Sequence, residues 1–377
     1  MSNKKRIAIF SITYDPFIGG AEVAIKQITD RLSDFEFELF TARLDSKLPE
    51  KEKVGNITVY RVGTGHKFLD KLLYPWRASK LALKMHEQSP YDIIHAVMAT
   101  YAGLAAIKFK DIQSQVPYLL TLQSGDSDEF INKRTWFWKK RYKQIYTKAD
   151  KIVAISNWLS ERATKYGYKK EIEIIPNGVD IEKFNKEVSA QERTSIRNSW
   201  GAEENDFVII TSSRLVHKNG IDMLIGAMEY LQDNIILVIA GEGKDENKLR
   251  SLAKKFKDRV LFLGHVNHGE LPRLLKSADV FARPSRSEGM GNSFVEAMAT
   301  GIPVVARPVG GIVDFNKEEE VVLFAENEDS KSVANIIKDL NEDEVLIREI
   351  SKKGKELSQK YNWKDIAEQY KQTYVNL

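Results

Sequence analysis

The sequence predicts an α/β protein made of two doubly wound domains, each a parallel sheet with helices on both faces. Two observations carry this prediction. Short runs rich in Ile, Val, Leu and Phe alternate with helical patterns along most of the chain, which is typical of parallel sheets covered by helices. The series of apolar runs also stops at a turn-rich segment, Pro176-Asn177-Gly178-Val179-Asp180, and then starts again.

The first domain is placed at residues 1–180, where seven apolar runs are predicted to form strands. The segments between these runs are long enough for right-handed helical crossovers. The first run follows three basic residues, as in a signal peptide, but it ends at Tyr14-Asp15-Pro16 without a cleavage-like sequence and therefore fits a buried strand better. The predicted strands are 7–12, 35–41, 57–62, 91–97, 117–123, 151–155 and 171–175.

The second domain is placed at residues 181–361, where the same architecture begins again. Its predicted strands are 207–212, 235–240, 259–263, 279–282, 303–306 and 321–324. From about residue 330 the pattern is helical. In the last segment, 362–377, the side chains of Ile366, Tyr370 and Tyr374 are spaced four apart and form one helical stripe. We expect this final helix to pack back onto the first domain.

Composition excludes several classes of chemistry. The chain has 377 residues, 57 Lys and Arg against 53 Asp and Glu, and no cysteine. Disulfides, thiolate metal sites, iron–sulfur clusters and a cysteine nucleophile are therefore excluded. The charge is uneven, since residues 1–180 carry 29 basic and 21 acidic side chains and the remainder carries 28 and 32. The first domain is therefore expected to attract anionic partners.

The loops that follow strands are where parallel sheets bind ligands. In the first domain, Gly19 and Gly20 come at the start of a helix, where backbone N–H groups can approach an anion closely; a tight turn is the alternative interpretation. In the second domain, Arg214 and Lys218 follow the first strand. A planar guanidinium and an ammonium four residues apart suit a diphosphate, although such a pair is more often a solvated surface.

A second loop of the second domain carries two glutamates around Gly-Met-Gly. Glu288 precedes Gly289 and Gly291, which free the backbone, and Ser293 is expected to cap a helix that bears Glu296. Carboxylates in these places can accept hydrogen bonds from sugar or ribose hydroxyls. Compensation of the helix dipole is the structural alternative for a glutamate near a helix start.

The segment from Glu288 to Glu296 resembles the motif of the retaining glycosyltransferases of family four, which share the two-domain GT-B fold. The glycine pair, the two cations, the linker at residues 175–180 and Ala240-Gly241-Glu242-Gly243 also fall where that family has them. The resemblance covers essentially the whole chain. It implies two Rossmann-like domains facing across a cleft, with a nucleotide-sugar donor bound mainly by the second domain and an acceptor by the first.

The resemblance also implies roles for individual residues. Arg214 and Lys218 would bind the donor diphosphate, and Gly19 and Gly20 would lie near the distal phosphate. Glu288 would bind hydroxyls of the transferred sugar. The remaining donor-binding residues would be Met290, Gly291 and Asn292 through their backbone, Glu296 on the ribose and Val266 beside the nucleobase.

Relatives often carry a histidine at the end of the fifth strand, where this chain has Gln123. Glutamine cannot shuttle protons but can hydrogen-bond a sugar hydroxyl. Asp126 and His95 are further candidates on the acceptor side, with a structural or core role as the alternative for each. Asp126-Ser127-Asp128 has the spacing of a metal-nucleotide motif, but it lies in the first domain. We therefore expect neither a metal nor a cofactor, with a UDP- or GDP-linked sugar as co-substrate.

The excess positive charge is concentrated at residues 133–151, where eight Lys or Arg and one acid are interleaved with five aromatic residues. A basic amphipathic face could contact anionic membrane, or the rings could be buried and the lysines solvated. No nucleic-acid-binding motif is recognised. We expect a cytoplasmic protein, with the inner face of the membrane as a further location.

The residues together with the resemblance imply transfer of a hexose-type sugar from a nucleotide sugar to a hydroxyl acceptor, and the resemblance implies that the anomeric configuration is retained. The acceptor would be a saccharide or lipid-linked saccharide in cell-envelope or polysaccharide synthesis. One alternative is an epimerase or hydrolase of nucleotide sugars with the same fold. The other is a nucleotide-sugar-binding partner without turnover. The sequence leaves open the base, the sugar, the acceptor and the oligomeric state.

Overall fold

The structure is a computed structural model, and it describes residues 4–17 and 19–377. The chain divides into two compact units. One comprises Met1–Asn177 together with Trp363–Leu377, and the other comprises Gly178–Asn362. They are called here the N-terminal unit and the C-terminal unit.

The N-terminal unit is built on an eight-stranded sheet with the order β3-β4-β2-β1-β5-β6-β7-β8. Every neighbouring pair in it is parallel except β3 and β4, which are antiparallel. The strands are β1 (Lys5–Phe10), β2 (Phe35–Ala42), β3 (Lys51–Val54), β4 (Ile57–Val62), β5 (Ile93–Val97), β6 (Tyr118–Leu122), β7 (Lys151–Ala154) and β8 (Ile172–Ile174). The helices before residue 178 are α1 (Gly20–Arg31), α2 (Lys67–Gln88), α3 (Tyr101–Lys110), α4 (Asp128–Thr135), α5 (Lys139–Thr147) and α6 (Asn157–Lys165), with a 3-10 turn at Trp136–Trp138.

The C-terminal unit has a six-stranded parallel sheet with the order β11-β10-β9-β12-β13-β14. Its strands are β9 (Phe207–Ser212), β10 (Ile235–Ala240), β11 (Val260–Gly264), β12 (Val280–Arg283), β13 (Val304–Ala306) and β14 (Val322–Phe324). Its helices are α7 (Ile181–Asn185), α8 (Ala190–Ser199), α9 (Ile221–Ala227), α10 (Glu246–Ala253), α11 (Leu271–Ser277), α12 (Asn292–Thr300), α13 (Ser330–Glu342) and α14 (Glu344–Ser358).

The last helix, α15 (Trp363–Val375), belongs to the N-terminal unit. Its stripe of Ile366, Tyr370 and Tyr374 is buried in the core formed by β1, β2 and α1. The Tyr374 ring lies 5.6 Å from the ring of Phe35, measured between centroids. The predicted helical stripe is therefore confirmed, and its partner is the core of the first sheet.

All thirteen predicted strands are confirmed, with ends that shift by no more than two residues. Continuous apolar runs are what a sheet covered on both faces requires. One strand was missed. β3, with the sequence Lys-Glu-Lys-Val, lies at the sheet edge, where its alternating exposed side chains give no apolar run. Within the described residues, no helix combines the length and the hydropathy that crossing a bilayer would need.

Candidate active site

The loop after β9 carries the two cations that the sequence predicts to be donor ligands. Arg214 is exposed and Lys218 is partly exposed. Buried Asn219 donates from Nδ2 to the carbonyl oxygen of Arg214 at 2.7 Å. Gly220 has a φ of 70°, and a Cβ there would lie 1.9 Å from the carbonyl oxygen of Pro284. The loop is thus held against the residue that follows β12, at the carboxyl edge of the sheet.

Glu288 follows β12, and both of its carboxylate oxygens have partners within the unit. Oε2 accepts a hydrogen bond from Nη2 of Arg283 at 2.6 Å, and Oε1 accepts one from the amide of Gly289 at 3.0 Å. The Arg283 side chain is 7% exposed, and its Nη1 donates to Oγ of Ser293 at 2.8 Å. Its guanidinium also lies 4.3 Å from the ring centroid of Phe294. Arg283 therefore fixes the position of the Glu288 carboxylate.

The charges of three predicted site residues act on the Arg283 guanidinium. Burial lowers the pKa of Arg283 below its ordinary value. The nearby carboxylates of Glu288 and Glu296 oppose this shift, and the charge of Arg214 adds to it. The structure thus brings Arg214, Glu288 and Glu296 together around one buried cation that the sequence analysis missed.

Arg286 ties the two loops to each other. Its amide donates to the carbonyl oxygen of Lys218 at 2.7 Å, and its Nη1 donates to that of His217 at 2.8 Å. The same guanidinium makes a two-pronged contact with Asp222, at 2.7 and 2.9 Å, and donates to Glu328 at 2.7 Å. Bidentate pairs of this kind fix geometry as well as charge. The loops of Lys218 and Glu288 are therefore locked in one arrangement.

The start of α12 differs from the expectation in one respect. The residue before the helix is Gly291, with a φ of 89°, and no side chain caps the helix. The prediction that Ser293 caps it is wrong, because Asn292 is the first helical residue and the Ser293 hydroxyl is engaged by Arg283. A Cβ on Gly291 would lie 2.9 Å from Nη2 of Arg283, so only glycine fits. Met290 is buried, and Asn292 opens the helix at the same edge of the sheet.

Glu296 lies in the second turn of α12 and has a histidine partner. Its Oε1 lies 2.9 Å from Nε2 of His268, whose Nδ1 lies 3.0 Å from Nζ of Lys183. Val266 belongs to the same loop after β11 and is half-buried. The sequence analysis placed Val266 and Glu296 in the site but did not identify His268 as a partner of this carboxylate.

In the N-terminal unit, the glycine pair lies at the start of α1. Gly19 precedes the helix without a side-chain cap, and Gly20 is its first residue. Ile18 of this loop lies outside the described residues. Buried Arg61 donates from Nη2 to the carbonyl oxygen of Asp15 at 2.6 Å. The chain before the glycines is thus braced by an arginine from β4.

Gln123 and Asp126 lie in one loop after β6. Oε1 of Gln123 accepts a hydrogen bond from Nδ2 of Asn177 at 3.3 Å. Buried Arg162 donates to the carbonyl oxygens of Ser124 and Asp126, at 3.2 and 2.7 Å. Arg162 therefore shapes the loop that the sequence analysis assigned to the acceptor, and it is a second buried arginine that was missed.

The Asp126-Ser127-Asp128 segment leads into α4, whose first residue is Asp128. The hydroxyl oxygen of Ser127 accepts from the amide of Phe130 at 3.3 Å, and Asp128 forms ion pairs with Arg162 and Lys165 at 3.0 and 2.5 Å. A helix cap and two ion pairs therefore engage Ser127 and Asp128.

His95 is the third residue of β5 and is buried in the core. Its Nδ1 lies 3.0 Å from the hydroxyl of Tyr374 and its Nε2 lies 2.6 Å from the hydroxyl of Thr121. Burial lowers the pKa of His95 to about 3. The structure favours the core alternative for His95, which fastens α15 to the sheet and does not reach the loop of Gln123.

The basic aromatic segment at residues 133–151 divides between the two interpretations that the sequence left open. Tyr142 and Tyr146 are buried, as the core interpretation requires. Trp136 is 75% exposed and Phe137 is 72% exposed, as the surface interpretation requires. The division falls where the 3-10 turn separates α4 from α5.

Two family models match successive parts of the chain. The model described as Glycosyltransferase Family 4 matches residues 18–183, and the model described as Glycosyl transferases group 1 matches residues 192–357. The second match contains Arg214, Lys218, Glu288 and Glu296.

Individual proteins agree with the family models. A glycosyltransferase of Methanocaldococcus jannaschii, described as uncharacterized, is 28% identical over 390 residues, covering 98% of this chain and 97% of that protein. The alpha-monoglucosyldiacylglycerol synthase of Streptococcus pneumoniae is 25% identical over 313 residues, covering 80% and 70%. The crystal structure of Anabaena HepE in complex with UDP and glucose superposes with a TM-score of 0.81 at 22% identity, covering 99% and 100%. The chain is a member of the group 1 glycosyltransferases of family 4, with the GT-B fold of two parallel-sheet α/β domains.

Proposed function

We propose that the chain is a retaining glycosyltransferase that moves a hexose-type sugar from a nucleoside-diphosphate sugar to a hydroxyl acceptor, without a metal or a cofactor. One observation carries this proposal. The backbone of the loop with Arg214 and Lys218 is fastened by Arg286 to the loop with Glu288, so that the two loops that carry the cations and the proposed sugar-binding carboxylate hold one arrangement. HepE, which was crystallised with UDP and glucose, supports a UDP-linked donor, and a GDP-linked donor is the other candidate.

In the proposed reaction, the bond between the anomeric carbon and the β-phosphate oxygen breaks. The acceptor oxygen bonds to the anomeric carbon on the same face, and its proton passes to the departing phosphate oxygen. The products are the glycoside and the nucleoside diphosphate. Negative charge grows on the diphosphate as the bond breaks, so Arg214 and Lys218 stabilise the transition state more than the ground state.

The remaining residues orient the two substrates. Glu288 accepts hydrogen bonds from hydroxyls of the transferred sugar, while Arg283 holds that carboxylate in place. Glu296, supported by His268, accepts from the ribose. Backbone N–H groups at Met290, Gly291 and Asn292 contact the diphosphate or the sugar. In the N-terminal unit, Gly19 and Gly20 approach the distal phosphate, and Gln123 and Asp126 contact the acceptor.

The test begins with the donor. UDP-, GDP- and ADP-sugars are screened for a rise in melting temperature, and the sugar that stabilises the chain is then supplied with saccharide and lipid-linked acceptors. We expect a glycoside whose anomeric proton coupling, measured by NMR, matches that of the donor. Free sugar formed equally with and without acceptor would support the hydrolase instead, and an inverted anomer would refute retention.

We also propose that the acceptor is presented at an anionic membrane surface, with residues 133–151 in contact with it. Exposed Trp136 and Phe137 lie between basic residues on both sides, and the synthase from Streptococcus pneumoniae is named for a glycolipid. Location in the cytoplasm, at the inner face of the membrane, stays a prediction.

A further inference from the structure

A basic cleft lies in the C-terminal unit between the ends of α11 and α12 and the second half of α14. Its volume is about 480 Å³, which is within the range of clefts that hold small molecules. Three lysines line it, Lys276 from α11 and Lys352 and Lys355 from α14. Among the described residues, Glu187 is the one acid in its lining. Three cations and one anion therefore leave the cleft with two unbalanced positive charges.

This cleft lies at the amino edge of the sheet, opposite to the proposed donor site. A helix that follows a parallel strand runs back to the edge where the next strand begins. α11 ends shortly before β12 begins, and α12 ends shortly before β13 begins. Arg214 and Glu288 instead follow β9 and β12, at the carboxyl edge. The cleft is therefore separate from the residues that are proposed to bind the donor.

Lys276 is the innermost cation of the cleft, and its side chain is only 10% exposed. Its Nζ donates to the carbonyl oxygen of Asn185 at 2.9 Å and lies 3.5 Å from Oε1 of Glu187. The Glu187 side chain is 88% exposed, and a pair with so exposed a member contributes little. Burial lowers the pKa of Lys276; the carboxylate of Glu187 opposes this shift, and the charge of Lys355 adds to it. The charge of Lys276 is thus weakly offset within the unit.

The two lysines of α14 leave their ammonium groups open to a ligand. Among the residues that the structure describes, no hydrogen bond or ion pair engages Nζ of Lys352 or of Lys355. A Cβ on Gly301 would lie 3.6 Å from Cδ of Lys355, so the glycine leaves room beside this side chain. A lysine near a helix end can offset the helix dipole. An ammonium without an acceptor in the protein can still donate to an anion.

We propose that this cleft binds a phosphate monoester, a small molecule with one phosphoryl group. A phosphate monoester carries a charge of about −1.5 to −2 at pH 7, which matches the two unbalanced positive charges. The ammonium groups of the three lysines donate to the phosphoryl oxygens, and the remaining volume holds the carbon skeleton. This inference goes beyond the proposed function and does not depend on it, since binding is measured without donor or acceptor.

Isothermal titration calorimetry of the full chain, at low ionic strength, compares ribose 5-phosphate, ribose and inorganic phosphate. We expect ribose 5-phosphate to bind and ribose not to bind. Inorganic phosphate should bind more weakly than the ester, because it leaves most of the cleft empty. The variant Lys352→Gln/Lys355→Gln should weaken binding of the ester by about tenfold or more. The matched control Lys331→Gln/Lys338→Gln removes the same charge from α13 of the same unit and should bind the ester as the parent chain does.

A phosphoryl group can also enter the proposed donor site, so Arg214→Ala/Lys218→Ala is titrated beside these variants. It should bind ribose 5-phosphate as the parent chain does. The proposal is overturned if the parent chain does not bind the ester, if ribose or inorganic phosphate binds as tightly, or if Lys352→Gln/Lys355→Gln binds the ester unchanged. It is also overturned if Arg214→Ala/Lys218→Ala loses the binding, because the ester would then occupy the donor site.

Thermal unfolding without ligand separates binding from a structural role of the two lysines of α14. We expect Lys352→Gln/Lys355→Gln to keep the parent melting temperature, because neither ammonium group has a partner in the described residues. A clear fall in melting temperature would assign these lysines to stabilisation of the helix ends and would overturn the proposal.

Discussion

Replacing Arg283 by methionine should destabilise the C-terminal unit, because it leaves the Glu288 carboxylate without its buried partner. The side chains of Arg283 and Glu288 are 7% and 17% exposed, and their atoms lie 2.6 Å apart. Removing one member of a buried pair costs about 3–5 kcal/mol, and the partial exposure of Glu288 lowers the expectation to the bottom of that range or just below it, at about 2–3 kcal/mol. For a unit of this size we expect the melting temperature to fall by about 4–12 °C.

The double variant Arg283→Met/Glu288→Gln separates electrostatics from packing. Once the carboxylate is neutral, no charge is left unpaired, and we expect at least half of the lost melting temperature to return. Catalysis should stay low in both variants, since the carboxylate that we propose to bind the sugar is misplaced in one and absent in the other. The assay is differential scanning calorimetry of the full chain without donor.

The matched control is Arg348→Met, which removes one member of the exposed pair between Arg348 and Glu344, 3.6 Å apart. A surface pair contributes about 0–1 kcal/mol, so its melting temperature should hardly change. The reasoning is refuted if Arg283→Met melts with the parent chain, or if the double variant is less stable than the single one.

Three further predictions concern rate, pH and metal. Lys218→Ala should lower kcat by about 10²- to 10³-fold. The control Lys254→Ala, at the opposite edge of the same sheet, should keep the parent rate, and equal losses of rate in the two variants would contradict the assignment of Lys218 to the diphosphate. Burial lowers the pKa of His95 from 6.5 to about 3, so the unfolded chain binds a proton that the folded chain does not. The free energy of unfolding should therefore fall below pH 6.5 by up to about 1.4 kcal/mol per pH unit, and urea unfolding at pH 7 and 5 should show a smaller fall for His95→Gln. Transfer should proceed at full rate in EDTA, and activity that is lost there and restored by manganese would contradict the proposal that the reaction needs no metal.

Much of the fold could be predicted because parallel strands buried on both faces leave continuous apolar runs in the sequence. The runs at 207–212 and 235–240 coincide with β9 and β10. β3 could not be predicted in this way, because an antiparallel edge strand needs no buried face. The fate of the aromatic residues at 133–151 was also undecidable, since a short 3-10 turn changes which side of the chain faces the core.

The site could be predicted only as far as loops and charges reveal it. Arg214, Lys218 and Glu288 stand in polar loops after strands, where ligands bind parallel sheets. Arg162 was missed because its partners, the Asp128 carboxylate and two backbone carbonyls, are remote in sequence. Arg283 was missed although its side-chain partners Glu288 and Ser293 are only five and ten positions away. One signal was present for Arg283, since it is a charged residue at the end of the buried strand β12, five positions before Glu288.

The arginines at this edge of the C-terminal unit divide into two kinds, and the division explains how the site can be both rigid and positive. Arg283 is neutralised by Glu288, and Arg286 is neutralised by Asp222 and Glu328. Because their charges are paired with carboxylates, these arginines fix the loops and contribute little electrostatic potential at a distance. Arg214 differs because its side chain is exposed. Its loop is fixed while its guanidinium is open to solvent, so it can approach a departing diphosphate and stabilise the negative charge that grows there. Substitution of the paired arginines should therefore lower both the melting temperature and the rate. Arg214→Ala should lower kcat and leave the melting temperature unchanged. Calorimetry and kinetics on the same variants test both expectations, and a paired arginine whose loss leaves the melting temperature unchanged, or an Arg214→Ala variant that melts early, would contradict this division.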